Sequence, residues 1–360
     1  MVYRVIGLMS GSSLDGLDIV FAEIEESGGK WSYQIIHADC LPYAAGWKQR
    51  LQEATGLSAR DYLLLHSAYG HYLGEQVNAF IEKHQLQYKI ALVASHGHTT
   101  FHLPGQLMTA QLGDGSAIAA ITRLPVVTDL RALDVALGGQ GAPIVPVGEQ
   151  LLFPGYEYYL NIGGIANVSI NDNPYIAFDI CPANRVLNLL AEEAGKEYDE
   201  NGLIAASGQL HEELLNILNQ QEYYQLPAPK SLANEFGTRI IYPLIQAQNI
   251  STADAMRTYA EHIAIQTALA AERNSGKPGK MLITGGGALN KFLMERISEK
   301  LQACHIETVV PDELTVSYKE ALIMGLIGVL RWREENNVLS SVTGARRDSA
   351  GGAMWMGQEN

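Results

Sequence analysis

Two apolar runs, VYRVIGLM (2–9) and LDIVFAEI (17–24), flank the short polar stretch that ends in SGSSLDG. Both are rich in β-branched residues, so the pattern predicts strand–turn–strand. Residues 31–38 alternate as a further strand. From 60 to 85 the apolar positions recur at helical spacing, with Leu64, Leu65, Ala68, Tyr72, Leu73 and Val77 placed on one face. IALVASHGHTT (90–100) reads as a buried strand ending in a polar tip, SAIAAITRL as a short helix and PVVTDL as another strand. A first domain closes near residue 128 on this pattern. RALDVALGGQGAPIVP (131–146) has no strong period and is rich in Gly and Pro, as a cleft-lining connection would be.

The plan then begins again. YEYYLNIGGIANVSI (156–170) is strand, Gly turn and strand, and PYIAFDI is a strand. NRVLNLLAEEAG is a helix, as is 254–273. KMLITGGGALN is a buried strand ending in three glycines, and SYKEALIMGLIGVLRW is the last strong helix. The tail from Ser340, rich in Gly, Ala and Ser, is expected to be loosely ordered. Two halves that open alike predict a duplicated α/β architecture of two lobes, 1–128 and 129–360, with the site in the cleft between them and, as an alternative for the terminal segment, its packing back on the N-terminal lobe.

Composition narrows the partners. The net charge of −14 over 360 residues argues against nucleic acid or an anionic membrane surface as partner. No segment is long and apolar enough to span a bilayer, and the N-terminus lacks a secretory signal pattern. Cys40, Cys181 and Cys304 are scattered and odd in number, which fits reduced thiols in the cytoplasm.

The candidate chemistry sits at the turns. Gly11 and Gly16 have the spacing of a P-loop, but Leu17 and Asp18 stand where Lys and Ser/Thr belong, and no helix follows. A Gly/Ser turn can still offer backbone N–H groups to a phosphate, and Asp15 or Asp18 could face a hydrated magnesium ion. Glycine turns recur at 163–164 and 285–287. Two hairpins suit the β- and γ-phosphates of a nucleotide, and TGGG lets an adenosine approach the backbone.

GLMSGSSLDGLD, SHGHTTFH, AQLGD, GGQGAPIVP, NIGGIANVS and ITGGGALN together resemble, in order and spacing, the anhydro-N-acetylmuramic acid kinases, a family of the actin-like sugar kinases and heat-shock ATPases. The resemblance runs from Gly7 to the VTG at 342–344. It implies two actin-like (ribonuclease H-like) lobes with mixed sheets flanked by helices. It further implies a cytoplasmic, homodimeric phosphotransferase of cell-wall sugar recycling that uses ATP and Mg2+. Water opens the 1,6-anhydro bridge while the freed O6 receives the γ-phosphate. The resemblance puts the general base on Asp134 and a second acid on Glu320, and lines the sugar side with His96, Arg131, Gln140 and Asn167. It assigns the nucleotide to Gly11, Ser12, Ser13, Leu14, Asp15, Gly16, Asp18, Asn161, Gly163, Gly164, Asp179, Gly285, Gly286 and Gly287, with Asp15 and Asp179 toward the metal. The chain departs from the family at Cys181, Ala183, Asn188, His98 and the LANEFG stretch, so a relative acting on another sugar, or an ATP-dependent sensor, is the alternative.

Overall fold

The computed structural model describes residues 1–357 apart from Ser12, Ser13, Asp15, Pro229 and Asn234. The chain forms two compact units, Met1–Pro154 with the segment from Tyr318 onward, and Gly155–Ser317.

In the first unit the opening apolar runs pair as expected. β1 (Val2–Ser10) and β2 (Gly16–Ser27) form an antiparallel hairpin, and β3 (Lys30–Pro42) continues it. β4 (Leu92–Ser95) and β7 (Val126–Thr128) add parallel strands on the other side of β1. β5 (His98–Leu103) and β6 (Met108–Leu112) make a separate hairpin. Helix α1 (Ala59–Lys83), capped by the Ser58 hydroxyl, buries Leu65, Tyr69, Leu73, Val77 and Phe80 against this sheet. Leu64, expected on that face, is 57% exposed, because the buried stripe passes through Tyr69 instead.

The second unit repeats the plan. β8 (Tyr158–Ile162), β9 (Ile165–Ile170) and β10 (Ile176–Pro182) are antiparallel neighbours, and β11 (Gly279–Thr284) and β12 (Ile306–Val309) extend β8 in parallel. The order β10-β9-β8-β11-β12 matches β3-β2-β1-β4-β7 of the first sheet strand for strand. The long helix Thr252–Asn274 and the helix Lys291–Ala303 supply its apolar cover.

Two expectations change. Residues 129–154 group with the first unit rather than the second. The aperiodic stretch holds two short helices, α2 (Ala132–Ala136) and α3 (Pro146–Leu152), and Phe153 just beyond them packs its ring 5.2 Å from Tyr33 of β3. The tail is folded: α4 (Ser340–Thr343) is followed by β13 (Ala353–Trp355), which pairs antiparallel with β7. The buried Asn337 amide fixes that path, its Oδ1 accepting from Gly351 N at 2.7 Å and its Nδ2 donating to Gly351 O at 2.9 Å.

Candidate active site

In the first unit, the ends of β1, β4 and β7 gather a buried polar cluster. His96, just past β4, is 3% exposed. Its Nε2 accepts from Arg131 Nε at 2.9 Å, so its proton sits on Nδ1, which donates to Gly97 O at 2.9 Å. Burial, with the Arg131 charge second, lowers the His96 pKa to about 3, and the ring is neutral. Of this pair only Arg131 is charged. Arg131 also donates through Nη1 to Gly141 O at 2.5 Å. Burial pulls its pKa down to about 10 against the charges of Glu320 and Asp134, so it stays protonated at neutral pH.

Asp134 lies in α2 and is fully buried. Its Oδ2 accepts from Gly141 N and its Oδ1 from Thr343 Oγ1, both at 2.7 Å. Both donors are neutral, and no ion pair to Arg131 forms among the described residues. Gly139 packs directly on this carboxylate, where a Cβ would collide with Oδ2. Gln140 is exposed, and its N–H donates to Thr343 O at 2.8 Å. Glu320 is half-buried; burial raises its pKa, while Lys319 and Arg131 oppose the shift. Next to it, Lys319 Nζ meets Glu149 Oε1 at 2.9 Å, with the two side chains 2% and 4% exposed.

The same end of the sheet holds the base of the first hairpin. Ser12, Ser13 and Asp15 lie outside the described residues. Leu14, assigned to the nucleotide, buries its side chain in the core, leaving only its backbone for a ligand. Gly16 is a packing residue: a Cβ there would stand 2.7 Å from Cys40 Sγ and 2.8 Å from Leu41 O. Asp18 is half-buried in the β2 ladder between Met9 and Cys40. Ser10 ends β1 in a hydrogen-bond chain. Tyr43, whose hydroxyl lies 2.5 Å from that of Tyr69, donates to Ser10 Oγ at 2.8 Å, and Ser10 Oγ lies 3.0 Å from His98 Nδ1. Burial lowers the His98 pKa to about 4 and raises that of Tyr43 to about 12.

In the second unit the turn between β8 and β9 carries Gly163 and Gly164, flanked in register by Asn161 and Asn167. Helix α5 (Asn184–Glu193) starts against this turn. Ala183 N and Arg185 N donate to Gly164 O at 2.8 and 3.3 Å, and Asn184 N to Gly163 O at 3.1 Å. β11 ends at the same place. Gly285 has φ +84°, and a Cβ there would stand 2.6 Å from Asn161 Oδ1; at Gly287 it would run into Ile162. These two glycines are demanded by the protein's own packing. Gly286 is exposed, with Asn184 Nδ2 3.7 Å from its Cβ position as the nearest neighbour, and it alone leaves open space.

Asp179, on β10 opposite Asn167, accepts from Leu232 N at 2.8 Å through Oδ2. Its Oδ1 takes no hydrogen bond among the described residues, and burial raises its pKa. No group of three potential metal ligands occurs among the described residues. A lone carboxylate lacking a counter-charge still fits magnesium, which keeps most of its waters and needs one or two protein oxygens.

Sequence reasoning missed Thr343, the Lys319–Glu149 pair and Arg185. Thr343 had a signal, since it stands in the VTG that ends the family resemblance.

The family described as anhydro-N-acetylmuramic acid kinase matches residues 3–357. The chain is 34% identical over 369 residues to an anhydro-N-acetylmuramic acid kinase of Aliivibrio fischeri, covering 98% of this chain and 99% of that one. To those of Vibrio vulnificus and Haemophilus influenzae it is 32% and 31% identical, with 97% of each chain covered. Among solved structures, an activator of 2-hydroxyisocaproyl-CoA dehydratase from Clostridium difficile with bound ADPNP aligns at TM-score 0.46 and 15% identity, over 93% of this chain and 99% of that one. Matched along nearly its whole length by the family model and by relatives above 30% identity, the chain belongs to the anhydro-N-acetylmuramic acid kinase family.

Proposed function

We propose that the protein uses ATP and Mg2+ to convert 1,6-anhydro-N-acetylmuramic acid to N-acetylmuramate 6-phosphate, with Asp134 as general base. The observation carrying the role of Asp134 is its setting: a buried carboxylate held by a neutral amide and a neutral hydroxyl, not neutralised by an ion pair. Such a group keeps basic lone pairs while its orientation is fixed. Water adds to the anomeric carbon and yields its proton to Asp134. The bond from that carbon to O6 breaks, and O6 bonds to the γ-phosphorus as ADP leaves.

Arg131, the one charged member of its pair with His96, suits the lactyl carboxylate of the sugar. Glu320, Gln140 and Asn167 are given sugar-binding roles in this reading. The Gly163–Gly164 turn and the hairpin at Gly11 offer backbone amides to the phosphates, and Gly286 offers the open backbone against which adenosine can lie. Asp179, with Asp15, would hold Mg2+, which neutralises phosphate charge when bound. A cytoplasmic homodimer belongs to this reading, and sedimentation tests the dimer.

Mass spectrometry after incubation with ATP, Mg2+ and the anhydro sugar should show a product heavier by one water and one phosphoryl group. Absence of that product with a folded, ATP-binding protein overturns the reaction. Asp134→Asn should keep ATP affinity and lower turnover by about 10² or more. A variant that keeps near-normal turnover removes Asp134 from the mechanism.

A further inference from the structure

The second unit carries a cation that the reading above leaves unused. Arg185 is the second residue of α5, and its backbone N–H is tied to Gly164 O, so its Cα is fixed against the Gly163–Gly164 turn. The side chain runs over that turn, with Cβ 3.9 Å and Nε 4.0 Å from the point where a Gly164 Cβ would stand. The neighbouring Asn184 side chain reaches toward Gly286, so turn, helix start and the open glycine share one locality. The residue is half-buried, yet among the described residues its guanidinium enters no hydrogen bond, ion pair or ring contact.

That state is exceptional in this molecule. Among the described residues, the other half-buried arginines all have protein acceptors. Arg131 bonds His96 and Gly141 O, Arg257 and Arg296 meet Glu261, Arg331 meets Gly352 O, and Arg333 meets Glu26 and Glu335. A guanidinium without a protein acceptor keeps its planar fork of donors available to an anion.

We propose that Arg185 binds the terminal phosphates of the nucleotide at the Gly163–Gly164 turn. The proposal rests on the reading that this turn takes a nucleotide. It adds a charged fork to a site otherwise made of backbone amides, so affinity rises with the number of phosphates. Adenosine alone gains nothing from it.

Calorimetry on the full chain compares wild type, Arg185→Met and Arg185→Lys with MgATP, adenosine and the anhydro sugar. The Met variant should bind MgATP about 10- to 100-fold more weakly, the size of a lost charged hydrogen-bond pair. Its adenosine and sugar affinities should stay within twofold, and the Lys variant should lie between it and wild type. A wild type that binds neither ATP nor adenosine ends the nucleotide reading itself. A wild type that binds ATP, with a Met variant equal to it, overturns the role of Arg185 and leaves that reading standing. Equal losses for ATP and adenosine mean a structural role, and a loss for the sugar alone assigns the cation to a carboxylate; either result overturns the proposal. If Arg185→Met fails to fold by circular dichroism, Arg185→Gln is read in its place.

Discussion

The two sheets share one strand order, but the ends of their strands hold different chemistry. At the first sheet, His96, Arg131, Asp134, Glu149, Lys319 and Glu320 form a largely buried polar cluster in which Arg131 meets His96, Lys319 meets Glu149, and Asp134 is held by the neutral Gly141 amide and Thr343 hydroxyl. At the second, the matching place is built of glycines and asparagine side chains, its helix-start N–H groups bound to the carbonyls of Gly163 and Gly164, with the Asp179 carboxylate and the Arg185 guanidinium lacking a counter-charge among the described residues. The contrast separates two tasks. A site that moves a proton needs titratable groups held by fixed partners. A site that grips phosphate and a flat base needs backbone donors and the absence of side chains.

The strongest way to break this contrast is to remove one charge from the first cluster. Lys319→Met leaves Glu149 buried without its cation and should cost about 3–5 kcal/mol in urea unfolding. Adding Glu149→Leu should restore most of the loss. A cost under about 1 kcal/mol for the single variant would mean that the cluster is not electrostatically interlocked.

The second site is tested by shape. Gly285→Ala forces a Cβ against Asn161 and Ile162 O at positive φ and should destabilise by about 1–3 kcal/mol. Gly286→Ala meets no protein atom closer than 3.7 Å and should leave the melting temperature within a degree or two while weakening ATP binding. Equal behaviour of the two alanines would erase the distinction between a packing glycine and a ligand-facing one.

The first site also has a signature in pH, small near neutrality and growing toward acid. His96 and His98 have folded pKa values near 3 and 4, below the 6.5 of an unfolded histidine. The unfolded chain therefore binds more protons between these limits. The stability from keeping the rings neutral is full above about pH 6.5 and is lost as pH falls toward 3–4. Each ring adds a slope of up to about 1.4 kcal/mol per pH unit. His98→Gln should flatten the acid limb by up to one proton; an unchanged slope would show that the ring is not held neutral.

The strands, the three glycine turns and the duplication were legible because they rest on local periodicity and turn chemistry. The partners were not. Thr343 reaches Asp134, and Lys319 reaches Glu149, across well over a hundred residues, and no spacing rule encodes such pairs. The charge state of His96 was not legible either, because it is set by Arg131 Nε, which needs an acceptor and takes the ring's lone pair. Gly16, Gly285 and Gly287 read as ligand-facing, although neighbouring strands and side chains already fill the space a Cβ would need. A sequence shows that a side chain is missing, but the reason for the absence is a property of the neighbours.

The first unit is interrupted in sequence by the whole of the second. A ribosome adding roughly 5–20 residues per second emits the segment from Tyr318 onward about ten to thirty seconds after Pro154. Until then β7 has no β13 beside it, Glu149 lacks its lysine and Asp134 lacks the Thr343 hydroxyl. The continuous unit can complete its core first, and the interrupted one matures last. On the proposed roles, a nascent chain would gain its phosphate site before its base is set, and pulse proteolysis of stalled chains should find Gly155–Ser317 protected earlier than Met1–Pro154.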